Sequence, residues 1–408
     1  MLQVVPFNEA LALCKLEFGN NRTGPEEVEL HNALGRVLYA DLAAGEFVPG
    51  FDRSTVDGLA VRAADTFGCS DTMPAMLAYK GEIPMGAACA AGIGPGECMG
   101  VSTGGMLPVG ADAAVMVEHT EDYGDGFRYA LKPVSPGENT VRKGDDVSPG
   151  KIVLKRSALI SSKETGALAS LGFTAVTVFQ KTVAGILSTG DELVPIDEKP
   201  AGGQVRDVNA HLLAAAVREA GGKPLALGIV GDDEAALAGA MKDALSKCDM
   251  LLISGGSSAG EKDLTARVIA SQGRLLLHGL AMKPGKPTIL GEIGGKPVFG
   301  LPGHPVAAFF VFHLLVRPLI CSYNQSRPVV MTKQGVLSVN IPSNHGREEI
   351  VPVKLLKSGA DEPSPCLVEP VPVKSGLITL LSEAEGYIKI PRDCEGLFKG
   401  AGVEVYLF

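Results

Sequence analysis

The sequence predicts a multidomain protein of mixed α/β and β class, with a central three-layer α/β domain on a parallel sheet. Three observations carry this expectation. Residues 180–322 alternate short apolar runs with amphipathic helical stretches, a rhythm that calls for a parallel sheet covered by helices. Residues 51–149 and 323–408 carry short β-like runs cut by Gly and Pro, the texture of all-β modules. The chain of 408 residues is also too long for one ordinary core, so two to four domains are expected.

In chain order, a helix is predicted over residues 8–18 with Asn8 as its N-cap. A second is predicted over 30–41, where Ala33, Leu34, Val37 and Leu38 share a stripe. The runs MLAYKGEIPMG, GECMGVSTGG, DAAVMVEHT, FRYALKPV and KIVLK then read as strands of a β-rich module over 51–149. Residues 161–171 are helical again. With the N-terminal helices they make a small connecting domain of residues 1–50 plus 150–179. The α/β domain, 180–322, follows with strands VAGILS, LALGIV, MLLIS and PVFGLP. Its helices are predicted over 208–220, closed by Gly221-Gly222, over 233–246, capped by Asp232, from Glu261 onward, and over 306–319. The runs VLSVNIP, EIVPVKLL, YIKIP and VEVYLF place a small β-barrel at 323–408.

Composition narrows the function. A formal charge of -9 speaks against a protein whose work is binding nucleic-acid phosphate or an anionic membrane. No Trp is present and aromatics make up 5%, too few for base-stacking platforms. The opening MLQVVPFNEALALCKLEF has Glu9 within its apolar stretch and no basic lead, unlike a signal peptide. The apolar run 306–316 contains His313 and stops at Arg317, too short to cross a bilayer. Eight cysteines form no C-x-x-C pair, so reduced thiols in the cytoplasm are expected, with neither a zinc site nor a disulfide framework.

Chemistry collects at the predicted strand ends. VAGILS runs into Thr189-Gly190-Asp191-Glu192, LALGIV into Gly231-Asp232-Asp233, MLLIS into Gly255-Gly256-Ser257-Ser258-Ala259-Gly260, and VFGLP into Gly303-His304-Pro305. In a parallel sheet these four share one rim. Glycine there lets backbone N–H groups face an anion, and each following helix adds its positive end. Acidic groups beside a phosphate call for a divalent cation between them, as Mg²⁺ is usually held. Any one of these loops, taken alone, is an ordinary turn. Met282-Lys283-Pro284-Gly285-Lys286-Pro287 reads either as a stiffened anion clamp or as a solvated basic turn.

Taken in order, RSTVDGLAV, TGGMLPVGADAAVM, NTVRKGDDV, LSTGDELV, SGGSSAGEKD, MKPGKP and FGLPGHP resemble the successive signatures of the MoeA family, the molybdopterin molybdenumtransferases, to which the C-terminal half of gephyrin is related. The resemblance spans essentially the whole chain. It implies a four-domain homodimer with a MogA-like molybdopterin-binding domain. It further implies insertion of molybdate into adenylylated molybdopterin, with release of AMP in a Mg²⁺-dependent step. The site would lie between the α/β domain of one subunit and the β module of the other.

Carried over position by position, the resemblance implies catalytic roles for Asp57, Thr103, Asp146, Glu192, Asp263, Lys283 and Lys286, and Mg²⁺ ligation by Glu192, Asp232 and Asp263. It implies substrate binding by Thr189, Gly190, Gly255, Gly256, Ser257, Ser258, Gly260, Pro302, Gly303, His304, Arg347 and Ser375. Molybdopterin adenylyltransferase and molybdoenzyme chaperones are the implied protein partners. Two segments depart from the family pattern: VDGLA stands where M-D-G-Y-A is usual, and His304 where Asn is usual. Two other readings stay open, a molybdopterin adenylyltransferase and a molybdopterin- or oxyanion-binding scaffold without turnover.

Overall fold

Four apolar runs form the parallel part of a six-stranded sheet. A computed structural model describes residues 4–255, 264–356, 366–374 and 376–408. The chain falls into two compact units, one of Met1–Glu27, Gly35–Val37 and Thr177–Phe408, the other of Val28–Leu34 and Leu38–Val176.

In the first unit the strands are β1 (Val183–Thr189), β2 (Lys223–Val230), β3 (Met250–Gly255), β4 (Arg274–His278), β5 (Ile289–Ile293) and β6 (Lys296–Leu301). Their spatial order is β2-β1-β3-β6-β5-β4. β2, β1, β3 and β6 run parallel, and β5 and β4 add an antiparallel edge. That edge was not legible as strands, because RLLLH and ILGEI are short and only half apolar. Helices α1 (Val208–Glu219), α2 (Glu234–Leu245) and α3 (Leu264–Gln272) connect the strands. The helix expected to open at Glu261 is seen from Leu264; Glu261 itself lies outside the described residues.

Helix α4, Pro305–Tyr323, has 19 residues, a mean hydropathy of 1.8, and 72% of its apolar window buried inside the protein. Length and composition alone would let it cross a membrane; its burial makes it a core helix. A π-type stretch at Phe312–Val316 interrupts it. Its own Phe310, Phe312, Leu315 and Ile320 are each at most 2% exposed and share one core with Phe7, Ala10, Cys14 and Phe18 of the helix Phe7–Phe18. That N-terminal helix is capped by Pro6 and not by Asn8. With the cap two residues earlier, Asn8 falls inside the first turn of the helix.

The C-terminal strands Thr332–Leu337, Glu348–Leu356, Leu367–Pro370, Gly386–Ile390 and Gly402–Leu407 pair in a closed ring. Leu337, Val353, Val368, Ile388, Val403 and Val405 pack within it. Closure leaves these five strands without a free edge.

The second unit holds a six-stranded sheet ordered Ala113–Met116, Gly58–Val61, Glu97–Val101, Ala75–Glu82, Phe127–Ala130, Thr120–Glu121. Leu59, Val61, Leu77, Cys98 and Val115 form its core. The helix Ser162–Ser170 starts on a capping box, in which the Glu164 carboxylate accepts from the Ser161 amide at 3.0 Å.

The expected helix over 30–41 is absent. Only Leu30–Asn32 forms a single 3₁₀ turn. Gly35 takes a φ of +74°, which ends any helical run, and Arg36 turns inward to donate to the Phe179 carbonyl at 2.9 Å. The apolar stripe was real only in part: Ala33, Val37 and Leu38 are buried, whereas Leu34 is 67% exposed.

His313 of α4 stacks on Phe309 and meets Tyr387 and Phe408 edge-on, with ring centroids 5.8–5.9 Å away. Burial, aided by Arg317 and Lys389, pushes its pKa down to about 4. The folded value lies below the unfolded one of 6.5. This stability is therefore complete above pH 6.5 and is lost as pH falls toward 4. Because the ring is only partly buried, the expected loss is discounted to about 2 kcal/mol. Thermal melts at pH 7 and pH 4.5 should show this loss, and His313→Gln should flatten it; an unchanged pH profile in the variant would remove His313 as its source.

Candidate functional site

The carboxyl ends of the four parallel strands open on one cavity of about 810 Å³. β1 delivers Thr189 and, past its turn, Glu192; β2 delivers Asp232; β3 delivers Ser254 and Gly255; β6 delivers Pro302, Gly303 and His304. This is the edge at which open parallel sheets take ligands. Gly255 has a φ of +102°, and a Cβ there would sit 2.0 Å from the Thr189 carbonyl oxygen. The bare backbone at this position is thus required by the closeness of two strand ends.

The acidic side chains are fixed by local bonds. Thr189 Oγ1 donates to Asp232 Oδ1 at 2.9 Å, and the Asp232 amide donates to Asp191 Oδ1 at 3.0 Å. Asp232 is consequently not the cap of α2, contrary to expectation. Asp233 caps it, accepting from the Ala236 amide at 2.8 Å. Its extended backbone swings its carboxylate over the helix start, while that of Asp232 stays with Thr189 at the cavity.

Four lining groups were not among the expected site residues: Arg206, Asp207, Asn209 and Arg267. Asp207 caps α1, accepting from the Ala210 amide at 3.0 Å, and lines the cavity with Val208 and Asn209 of the first helical turn. The positive end of the helix dipole therefore lies at the cavity. Arg206 Nε donates to the carbonyls of Ile196 and Glu198 at 3.0 and 3.1 Å. Arg267 on α3 is paired with Glu234 at 2.9 Å. The available signal was the run Arg206-Asp207-Val208-Asn209 at the head of a predicted helix.

Other expected residues lie elsewhere or are not described. Lys283 does not line the cavity; its Nζ is 2.6 Å from Glu349 Oε1, and Glu349 also accepts from Ser343 Oγ at 2.7 Å. Lys286 is exposed, next to the lining residue Pro287. Arg347 immediately precedes the barrel strand Glu348–Leu356 and is half-buried. Gly190 follows β1 directly. Gly256, Ser257, Ser258, Gly260, Asp263 and Ser375 lie outside the described residues, although Gly376, after Ser375, lines the cavity.

In the second unit Asp57 and Thr103 come together, the Thr103 amide donating to Asp57 Oδ1 at 2.7 Å. Antiparallel pairing of Arg53–Ser54 with Thr140–Val141 brings the 139–146 segment alongside. The Lys143 amide donates to Asp52 Oδ1 at 2.7 Å. The Asp146 amide donates to the Val48 carbonyl at 3.1 Å.

Among the described residues no three His, Cys, Asp or Glu side chains converge as a metal site. The cavity itself offers Glu192, Asp207 and Asp232 as carboxylates, with Asp207 engaged as a helix cap.

Comparison with known proteins places these features in one lineage. Residues 5–172 match the profile of the MoeA N-terminal region (domain I and II). Residues 185–321 match a probable molybdopterin binding domain, and 334–408 the MoeA C-terminal region (domain IV). A putative molybdopterin biosynthesis protein of Methanocaldococcus jannaschii is 36% identical over 393 residues, covering 94% of this chain and 92% of that protein. A molybdopterin molybdenumtransferase of Bacillus subtilis is 32% identical over 389 residues, covering 94% and 89%. The crystal structure of a molybdopterin biosynthesis MoeA protein from Pyrococcus horikoshii superposes with a TM-score of 0.84 at 36% identity, covering 99% of both chains.

Proposed function

The chain belongs to the MoeA family, and from that premise we propose that it inserts molybdate into adenylylated molybdopterin and releases AMP. It is a transferase of molybdenum cofactor biosynthesis. One observation supports the finer reading most strongly: four parallel strand ends, a capped helix start and two guanidinium groups surround a single cavity.

The donor chemistry at this cavity fits Mg²⁺. Glu192 and Asp232 are hard oxygen donors lining the same space, and neither is ion-paired among the described residues. Two carboxylates with substrate phosphate oxygens and water are a usual Mg²⁺ set. Glu192 and Asp232 would hold the ion, with Asp263 as the third expected ligand. When bound, it neutralises charge on the phosphate anhydride.

The protein's own groups supply the rest. The start of α1 and the Gly255 and Gly303 backbone receive phosphate oxygens, and Arg206 and Arg267 add positive charge. Thr189 keeps Asp232 in place through its 2.9 Å bond. Breaking a phosphate anhydride builds negative charge on the departing AMP, and preorganised donors stabilise that charge without a protein nucleophile. The proposal also retains Asp57, Thr103, Asp146 and Arg347 as substrate-contacting groups, Lys286 as an exposed cation beside the lining residue Pro287, a homodimer as the working form, and the cytoplasm as its location.

The test is AMP release from adenylylated molybdopterin on addition of molybdate and Mg²⁺. Release dependent on both supports metal insertion. Synthesis of adenylylated molybdopterin from ATP would instead make the chain an adenylyltransferase, and stable pterin binding without release would leave a binding scaffold.

A further inference from the structure

We propose that Asn209 is a positioning residue that fixes the ligand-facing rim of the cavity through Ser254 and Gly303. The proposal rests on the reading of this cavity as the nucleotide site. Asn209 lies in the first turn of α1 and is 5% exposed. Its Nδ2 donates to Ser254 Oγ at 2.7 Å and to the Gly303 carbonyl at 2.9 Å. A carbonyl only accepts, so the Gly303 bond sets which way the amide points. Ser254 Oγ then serves Asn209 as an acceptor, and its own proton is directed elsewhere. Ser254 is 2% exposed, lines the cavity and donates to no described residue.

The position of this clamp matters. The ladder between β3 and β6 stops at the pair Ser254↔Leu301, and Gly303 lies two residues further on. Past that pair no β3–β6 pairing fixes Gly303, and the Asn209 amide ties its carbonyl to Ser254, the last laddered residue of β3. Asn209 Oδ1 is meanwhile buried without a partner among the described residues. An unsatisfied buried acceptor is costly, which makes Asn209 a poor choice for stability alone. It is better explained by holding Ser254 as a hydroxyl donor to an incoming phosphate or ring acceptor, at a set distance from Gly303.

Calorimetric titration with AMP and Mg²⁺, well below the melting temperature, tests this on Asn209→Ala, Asn209→Asp, Ser254→Ala and the double variant N209A/S254A. Asp keeps the shape of Asn but lacks both donors. Each single variant should weaken AMP by about tenfold, and the double variant by less than the product of the singles, because the two residues act as one unit. KM for the adenylylated pterin should rise with AMP Kd in each folded variant. Affinity within about twofold of wild type in N209A and N209D, even with a lowered Tm, would reduce Asn209 to a structural residue and overturn the proposal. So would strictly multiplicative losses. Should N209A not fold, N209D and S254A carry the same comparison. A wild-type protein that binds no AMP would overturn the cavity reading and this role together, whereas wild-type binding with both Asn209 variants unaffected overturns this role alone.

Discussion

Asp232→Asn is expected to lower turnover by about 10²–10³-fold, the usual cost of removing one preorganised electrostatic contact to a reacting phosphate or oxyanion. The substitution keeps the volume and retains an acceptor for the Thr189 hydroxyl, now 2.9 Å from Asp232 Oδ1. What it removes is one of the two charges that Glu192 and Asp232 bring to the cavity. Apparent Mg²⁺ affinity should therefore fall with turnover, and high Mg²⁺ should restore part of the rate. The backbone is held independently, through the amide bond to Asp191, so thermal stability should stay close to wild type. A variant that turns over normally at low Mg²⁺ would take Asp232 out of the reaction.

Phe310→Ala is expected to cost about 3–5 kcal/mol, the range for deleting a fully buried aromatic ring. Phe310 is 0% exposed in the middle of α4. Its ring meets Phe309, Tyr387 and Phe408 with centroids 5.3, 5.6 and 6.2 Å away, so it joins the core helix to the barrel strand that carries Tyr387. The cavity left behind lies between elements fixed on several sides and has little room to collapse. Against a typical total stability of about 5–15 kcal/mol, such a loss is large. Urea denaturation should show a clear fall in midpoint for the unit that contains α4. A change below about 1 kcal/mol would mean that the aromatic cluster is loosely packed and that α4 does not organise this core.

Much of the α/β unit was legible because three of its four parallel strands, β1, β3 and β6, are buried on both faces, while β2, at the sheet edge, is only partly covered. Strands buried on both faces read as unbroken apolar runs, and VAGILS, LALGIV, MLLIS and PVFGLP fall within β1, β2, β3 and β6 or at their ends. Their carboxyl ends were legible for the same reason, since turn residues begin where burial stops. Local capping was less so. Asp232 and Asp233 are equally good cap residues by type, and only the tertiary bond from Thr189 to Asp232 decides between them. The false helix over 30–41 arose from a periodic stripe that a single positive-φ glycine, Gly35, interrupts. Arg206 and Asn209 are marked only by their place at the head of a predicted helix, and Arg267, on a helix face, carries no mark of the cavity it lines. Lys283 sits in a basic loop that reads equally as an anion clamp or a solvated turn, and only the pairing of 282–283 with 348–349 places Glu349 beside it.

The central claim is that these strand ends form one receptor for a nucleotide and a divalent cation. A crystal structure with AMP and Mn²⁺, an anomalous scatterer standing in for Mg²⁺, tests it most directly. The expected result is phosphate density over Gly255 and the start of α1, with the metal peak in direct contact with carboxylate oxygens of Glu192 and Asp232. Nucleotide and metal bound away from these strand ends, with that cavity holding only solvent, would contradict the account.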